Sequence, residues 1–97
     1  MVEQGDIITV EGLTGKYLVT SKNFFNKTEQ AMLCPIVKDT FKDPLHIEIN
    51  TDNAEGIVMC EQVRLVDLEH RGFGMIGRIH YPDIIEVTDA IQSIFDY

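Results

Sequence analysis

Cations are scarce in this chain. Eight Lys and Arg stand against sixteen Asp and Glu, for a formal net charge of −8. That balance excludes indiscriminate adhesion to nucleic acid, because phosphate contacts are made mostly by Lys and Arg. The deficit is uneven: residues 1–43 hold five Lys against six acids, and residues 44–97 hold three Arg against ten. A locally basic face of Lys16, Lys22, Lys27, Lys38 and Lys42 therefore stands beside the plainer reading of five solvated lysines. Cysteine is limited to Cys34 and Cys60, both in apolar, strand-like contexts without CxxC spacing, which points to two reduced buried thiols rather than a disulfide or metal site. No apolar run reaches the length of a membrane-spanning helix, and MVEQGDIITV lacks the basic flank and cleavage site of a signal peptide. The expectation is a cytoplasmic protein with no membrane contact.

What is present suits one soluble domain over residues 1–97, since 44% of the residues are hydrophobic and 25% charged. Asp6–Glu11 reads as a first strand, Gly12–Gly15 as a tight turn and Lys16–Ser21 as the second strand of a hairpin. Asn23–Thr28 reads as a turn or single helical turn whose Phe24 and Phe25 cover the sheet. Residues 30–37, QAMLCPIV, form a third strand, with Pro35 suggesting an edge or a bulge. In LHIEIN, Leu45, Ile47 and Ile49 face a core while His46 and Glu48 share a wet face. Two such residues without a third do not make a metal site, and no metal is expected. Pro82 and Asp83 open an amphipathic terminal helix whose Ile84, Val87, Ile91, Ile94 and Phe95 recur through Tyr97, over about four turns. Five to seven short strands and one C-terminal helix predict a mainly β fold, a small, strongly bent antiparallel sheet or partly open barrel.

The densest stretch is Gly56–Arg78, GIVMCEQVRLVDLEHRGFGMIGR. Alternation places Ile57, Met59, Glu61, Val63 and Leu65 on one side of a strand, and Glu61 is the misfit. A carboxylate there turns outward through a bulge, pairs with a cation such as Arg64, Arg71 or Arg78, or is desolvated enough to take a proton.

The motif order resembles that of the MazF/PemK family of bacterial toxins. Gly5-Asp6-Ile7-Ile8 resembles the family's opening strand, FFNKT followed by MLCPIV its N-K-T and V-x-P-I segments, and GIVMCEQVRLVDLEHRG…IGRI its G-V-x-x-D/E-Q-V-R-x-x-D…R-G…I-G-x-V signature. The resemblance covers most of the chain and implies an SH3-like barrel. It also implies a homodimeric toxin that cuts single-stranded RNA without metal or cofactor, leaving 2′,3′-cyclic phosphate ends, and that a cognate antitoxin neutralises.

On the ribonuclease that the resemblance implies, Glu61 and Lys16 are the catalytic candidates, and Lys22, Lys38, Arg64, Arg71 and His80 are the candidates for holding RNA. A base must take the 2′-hydroxyl proton, cations must stabilise the phosphorane, and an acid must protonate the leaving oxygen. The chain departs from the pattern at Lys16-Tyr17, where the family has Arg-Pro, and at Val37, where it has Thr. Lys holds phosphate as a point charge and lacks the guanidinium fork. Met59 replaces an Arg found in some members, and the first hairpin turn is shorter than the family's flap. An alternative therefore stands beside the ribonuclease: a non-catalytic binding module on the same scaffold, as in the gyrase-binding CcdB toxins.

Overall fold

The computed structural model describes residues 1–51 and 53–95. Seven antiparallel strands are followed by one long helix: β1 (Asp6–Val10), β2 (Lys16–Val19), β3 (Gln30–Val37), β4 (His46–Asn50), β5 (Glu55–Met59), β6 (Arg64–Asp67), β7 (Phe73–Arg78) and the terminal helix α2 (Tyr81–Gln92). A single helical turn, α1 (Asn23–Asn26), joins β2 to β3. The sheet runs β4-β5-β3-β2-β1-β7, with β6 also on β3. Its ends, β4 and β7, do not pair, so the sheet is strongly bent and the barrel is not closed.

β3 is the organising strand. One edge pairs with β2 from Leu33 to Ile36; the other takes β6 along Gln30–Leu33 and β5 along Ile36–Val37. Pro35 falls in the interval between those two partners, where a residue without an amide hydrogen interrupts neither ladder. It lies in unbroken register with Tyr17 within a central strand, which corrects the expectation of an edge or a bulge. Gly56 permits the β3–β5 approach: a β-carbon there would stand 2.8 Å from the Val37 carbonyl oxygen.

Alternation divides consecutive residues between two cores. Ile7, Leu18, Cys34, Ile36, Ile47, Val58 and Cys60 pack beneath Val87 and Ala90 of α2, whereas Ile8, Val10, Tyr17, Val19, Leu33 and Val66 fill the other side. Among the described residues no helix contributes to the second cluster, so the bend of the sheet itself encloses it. Both thiols are buried and free, as expected, and Cys34 Sγ lies 4.0 Å from the Cys60 carbonyl oxygen.

Three local expectations change. Phe24 is 73% exposed, and only Phe25 of the expected pair is half-buried. Asn26 is the buried residue of α1; its amide donates to the Ser21 carbonyl at 3.0 Å, and Ser21 Oγ accepts from the Met32 amide at 3.0 Å. The Asn-Lys-Thr segment thus ties β2 to β3. The terminal helix ends at Gln92, about three turns long, because Ile94 and Phe95 amides fall back on the carbonyls of Ile91 and Gln92 in tighter i→i−3 bonds. Asp96 and Tyr97, assigned to the helix from periodicity, lie outside the described residues. The continuous strand expected across residues 57–66 is the third change. It is two strands, β5 and β6, separated by a 3₁₀ turn at Cys60–Gln62.

Candidate functional site

That 3₁₀ turn answers the Glu61 anomaly. Breaking the alternation after Met59 keeps Cys60 inside and swings Glu61 outward, leaving its side chain 36% exposed rather than on an apolar face. The β4–β5 register sets His46 opposite Met59, two residues short of Glu61. His46 Nε2 lies 2.8 Å from Glu61 Oε2, and Nδ1 lies 2.8 Å from the Phe41 carbonyl oxygen. The Phe41 ring meets the imidazole edge-on, with centroids 4.9 Å apart. So enclosed, the His46 side chain is only 2% exposed, and the wet-face position shared with Glu48 is corrected. The Glu61 hydrogen bond and then the Phe41 carbonyl raise the His46 pKa above the ordinary histidine value. The partner of Glu61 is thus a histidine; none of Arg64, Arg71 or Arg78 pairs with it among the described residues. Both nitrogens of His46 are occupied by protein oxygens, which leaves the ring no lone pair for a metal.

Lys16 is half-buried at the start of β2, in register with Ile36 and so with Val58 of β5. His46 is in register with Met59. Because consecutive residues face opposite sides, Lys16 and the His46–Glu61 pair belong to opposite sides of the sheet. Lys16 instead shares the end of the β2–β3 pair with Lys38, which is exposed two residues beyond Ile36. Lys38 opens onto a hollow lined also by Asp39, Glu48, Glu55 and Asp83.

The remaining candidates are dispersed. Arg64 is exposed at the start of β6, opposite Leu33. Lys22 is exposed just before α1, on the rim of a groove along α2. His80 is exposed ahead of α2 and makes no capping hydrogen bond. Arg71 is exposed in the β6–β7 turn, with its guanidinium over Gly12. Arg78 is structural: it pairs with the buried Asp6 at 2.7 Å and reaches Glu3 at 3.5 Å, joining β1 to β7 at a position where Asp6 and Arg78 are register partners. His70 and Asp67 pair at 2.9 Å on the surface; that contact raises the His70 pKa and lowers the Asp67 pKa. Sequence reasoning missed His46 as the partner of Glu61. The signal lay in folding LHIEIN back on EGIVM across Thr51–Ala54, which brings the histidine level with the end of β5.

The small, strongly bent antiparallel sheet with a helix laid over one face is shared with solved structures, and the sequence match supplies the family. Residues 3–95 match the family described as PemK-like, MazF-like toxin of type II toxin–antitoxin systems. The chain belongs to that family and is a toxin of that kind. No curated protein matches it by sequence. Its fold resembles that of MazF in the crystal structure of MazE–MazF from Deinococcus radiodurans, with a TM-score of 0.88, 18% identity, and 97% of this chain and 95% of that chain covered. It also resembles an endoribonuclease in complex with its cognate antitoxin from a mycobacterial species, with a TM-score of 0.83, 12% identity, and coverage of 98% and 95%. A third similar fold is the Mycobacterium tuberculosis toxin MazF-mt6, with a TM-score of 0.75, 15% identity, and coverage of 96% and 99%. No helix among the described residues is long and apolar enough to cross a membrane.

Proposed function

We propose that this toxin is a metal-independent endoribonuclease that cleaves single-stranded RNA. The observation that carries this reading is the Glu61 carboxylate, presented at the surface with Oε2 anchored on His46 and Oε1 free of any hydrogen bond among the described residues. Oε1 accepts the proton of a ribose 2′-hydroxyl; the 2′-oxygen bonds to phosphorus, the bond to the 5′-oxygen breaks, and solvent protonates the leaving oxygen. The products are a 2′,3′-cyclic phosphate and a 5′-hydroxyl. Arg64, three residues beyond Glu61, is the nearest cation in sequence for the charge that builds on phosphorus, and the fork of its guanidinium suits that task. Lys16 and Lys38, at the end of the β2–β3 pair, hold flanking phosphates as point charges. The endoribonuclease–antitoxin complex among the similar folds supports a cognate antitoxin as partner. The exposed Tyr81, Ile85, Ile94 and Phe95 on and just beyond α2 support a homodimer contact.

One observation favours the binding module instead. The register puts Lys16 on the opposite face of the sheet from His46, the residue that holds Glu61, which weighs against Lys16 and Glu61 meeting at one phosphate within a protomer. The test is incubation of purified protein with mixed-sequence single-stranded RNA under chelator, comparing wild type with Lys16→Ala and Glu61→Gln. Cyclic-phosphate ends that disappear with Glu61→Gln carry the ribonuclease reading. Intact RNA across a broad panel, from folded protein, carries the binding module.

A further inference from the structure

His46 has two ring nitrogens, and each faces an oxygen at 2.8 Å: the Phe41 carbonyl, which can only accept, and Glu61 Oε2. A neutral imidazole has one N–H and one lone pair, so with an ionised Glu61 one of these contacts would set a lone pair against an oxygen. Both contacts are satisfied when the ring carries two protons and Glu61 is charged. The environment agrees with a cation. Besides Glu61, the ionisable groups around the ring are Asp43 and Lys42 of the β3–β4 loop and Glu48 of β4, two acids against one lysine. With its side chain 2% exposed, His46 is too enclosed to touch RNA, whereas Glu61 is open.

We infer that His46 is a positioning residue: an imidazolium strapped to the Phe41 carbonyl that fixes the Glu61 carboxylate by Oε2 and leaves Oε1 aimed outward to accept a proton. This rests on the ribonuclease reading for its consequence in catalysis, and on the two hydrogen bonds alone for the charge state. The same ring also ties the β3–β4 loop to the 3₁₀ turn through Phe41. When His46 loses its proton, one of its two contacts is lost. Either the Glu61 hydrogen bond itself or the Phe41 strap that orients the ring is lost, and in both cases the carboxylate is held less firmly. Cleavage therefore falls on the alkaline side of the His46 pKa.

The test pairs a nitrogen-detected NMR titration of the full chain with the pH profile of RNA cleavage. His46 is assigned by comparison with His46→Gln, because the chain holds two other histidines. The expected spectrum has both His46 nitrogens protonated at pH 7 and a titration midpoint above the ordinary histidine value, with the midpoint shifting down in Glu61→Gln. The expected kinetics are an alkaline limb whose midpoint coincides with that of His46. In His46→Gln, which keeps a donor for Glu61 but cannot titrate, that limb is absent. His46→Phe, which keeps the packing on Phe41 and supplies no donor, lowers kcat about 10²-fold through misplacement of the base, with KM little changed. A single neutral tautomer of His46 at pH 7, or a midpoint indifferent to Glu61→Gln, overturns the assignment whether or not RNA is cut. Cleavage by His46→Phe at the wild-type rate overturns the positioning role. Failure of wild type to cut any RNA sinks the ribonuclease reading and its positioning consequence, and the titration still decides the imidazolium.

Discussion

Asp6 and Arg78 show how one ion pair holds a sheet edge in place. The Asp6 side chain is 8% exposed and takes hydrogen bonds from Arg78 at 2.7 Å and the Glu3 amide at 2.8 Å. Removing the cation leaves a covered carboxylate short of one partner, so Arg78→Leu is expected to destabilise the fold by about 1–3 kcal/mol, measured by urea unfolding. The two thiols make a different prediction. Burial, with smaller contributions from neighbouring charges, pushes Cys34 up to about 12 and Cys60 up to about 11. Neither presents thiolate at neutral pH, and alkylation of native protein is expected to proceed only as fast as global unfolding, read by mass spectrometry with and without denaturant. Because the unfolded thiols ionise at lower pH than the folded ones, their linkage lowers stability as pH rises above the unfolded thiol pKa. His46 works in the same direction from a lower start. Its folded pKa is raised, so its contribution is complete below the unfolded histidine value and is lost as pH climbs through the folded one. His46→Phe is expected to flatten the melting temperature's dependence on pH over that window.

Among the elements, β3 and the 3₁₀ turn mark what the sequence discloses and what it hides. QAMLCPIV was readable as a strand to the residue, because its β-propensity and flanking turn residues agree. The fork in its outer edge was not, since two strands sharing one neighbour is a matter of tertiary pairing, and Pro35 marks the gap only once the register is known. Period-2 alternation through Cys60–Gln62 likewise concealed a turn, for both Cys60 and Met59 are buried and mimic strand residues at the boundary. Gly56 is the checkable point in that region. Gly56→Ala would press a methyl against the Val37 carbonyl and the Ile36 side chain, and about 1–3 kcal/mol of destabilisation is expected from the overpacking. An unchanged denaturation midpoint would show that β5 does not approach β3 as closely as described.

For the molecule as a whole, the mainly β character, the terminal helix and the family signature could all be read before any coordinates. The geometry of the candidate site could not. Lys16 and Glu61 come from segments that match the family in order, yet their separation depends on which side of a bent sheet each faces, and the alternation of residues 57–66 left an outward turn of Glu61 as one of three readings without pointing to His46 as its partner. Apolar exposure on α2 carries a prediction at this scale. Tyr81→Asp with Ile85→Asp is expected to shift sedimentation from dimer to monomer while circular dichroism stays unchanged, since neither side chain belongs to the core. The measurement that bears most directly on the central claim is the rate at which cyclic-phosphate ends appear on single-stranded RNA under chelator, for wild type against Glu61→Gln. The account predicts metal-independent cleavage that falls about 10²–10⁴-fold in the variant, the range expected for loss of a general base. Equal rates in the two proteins, or intact RNA with both, would contradict it.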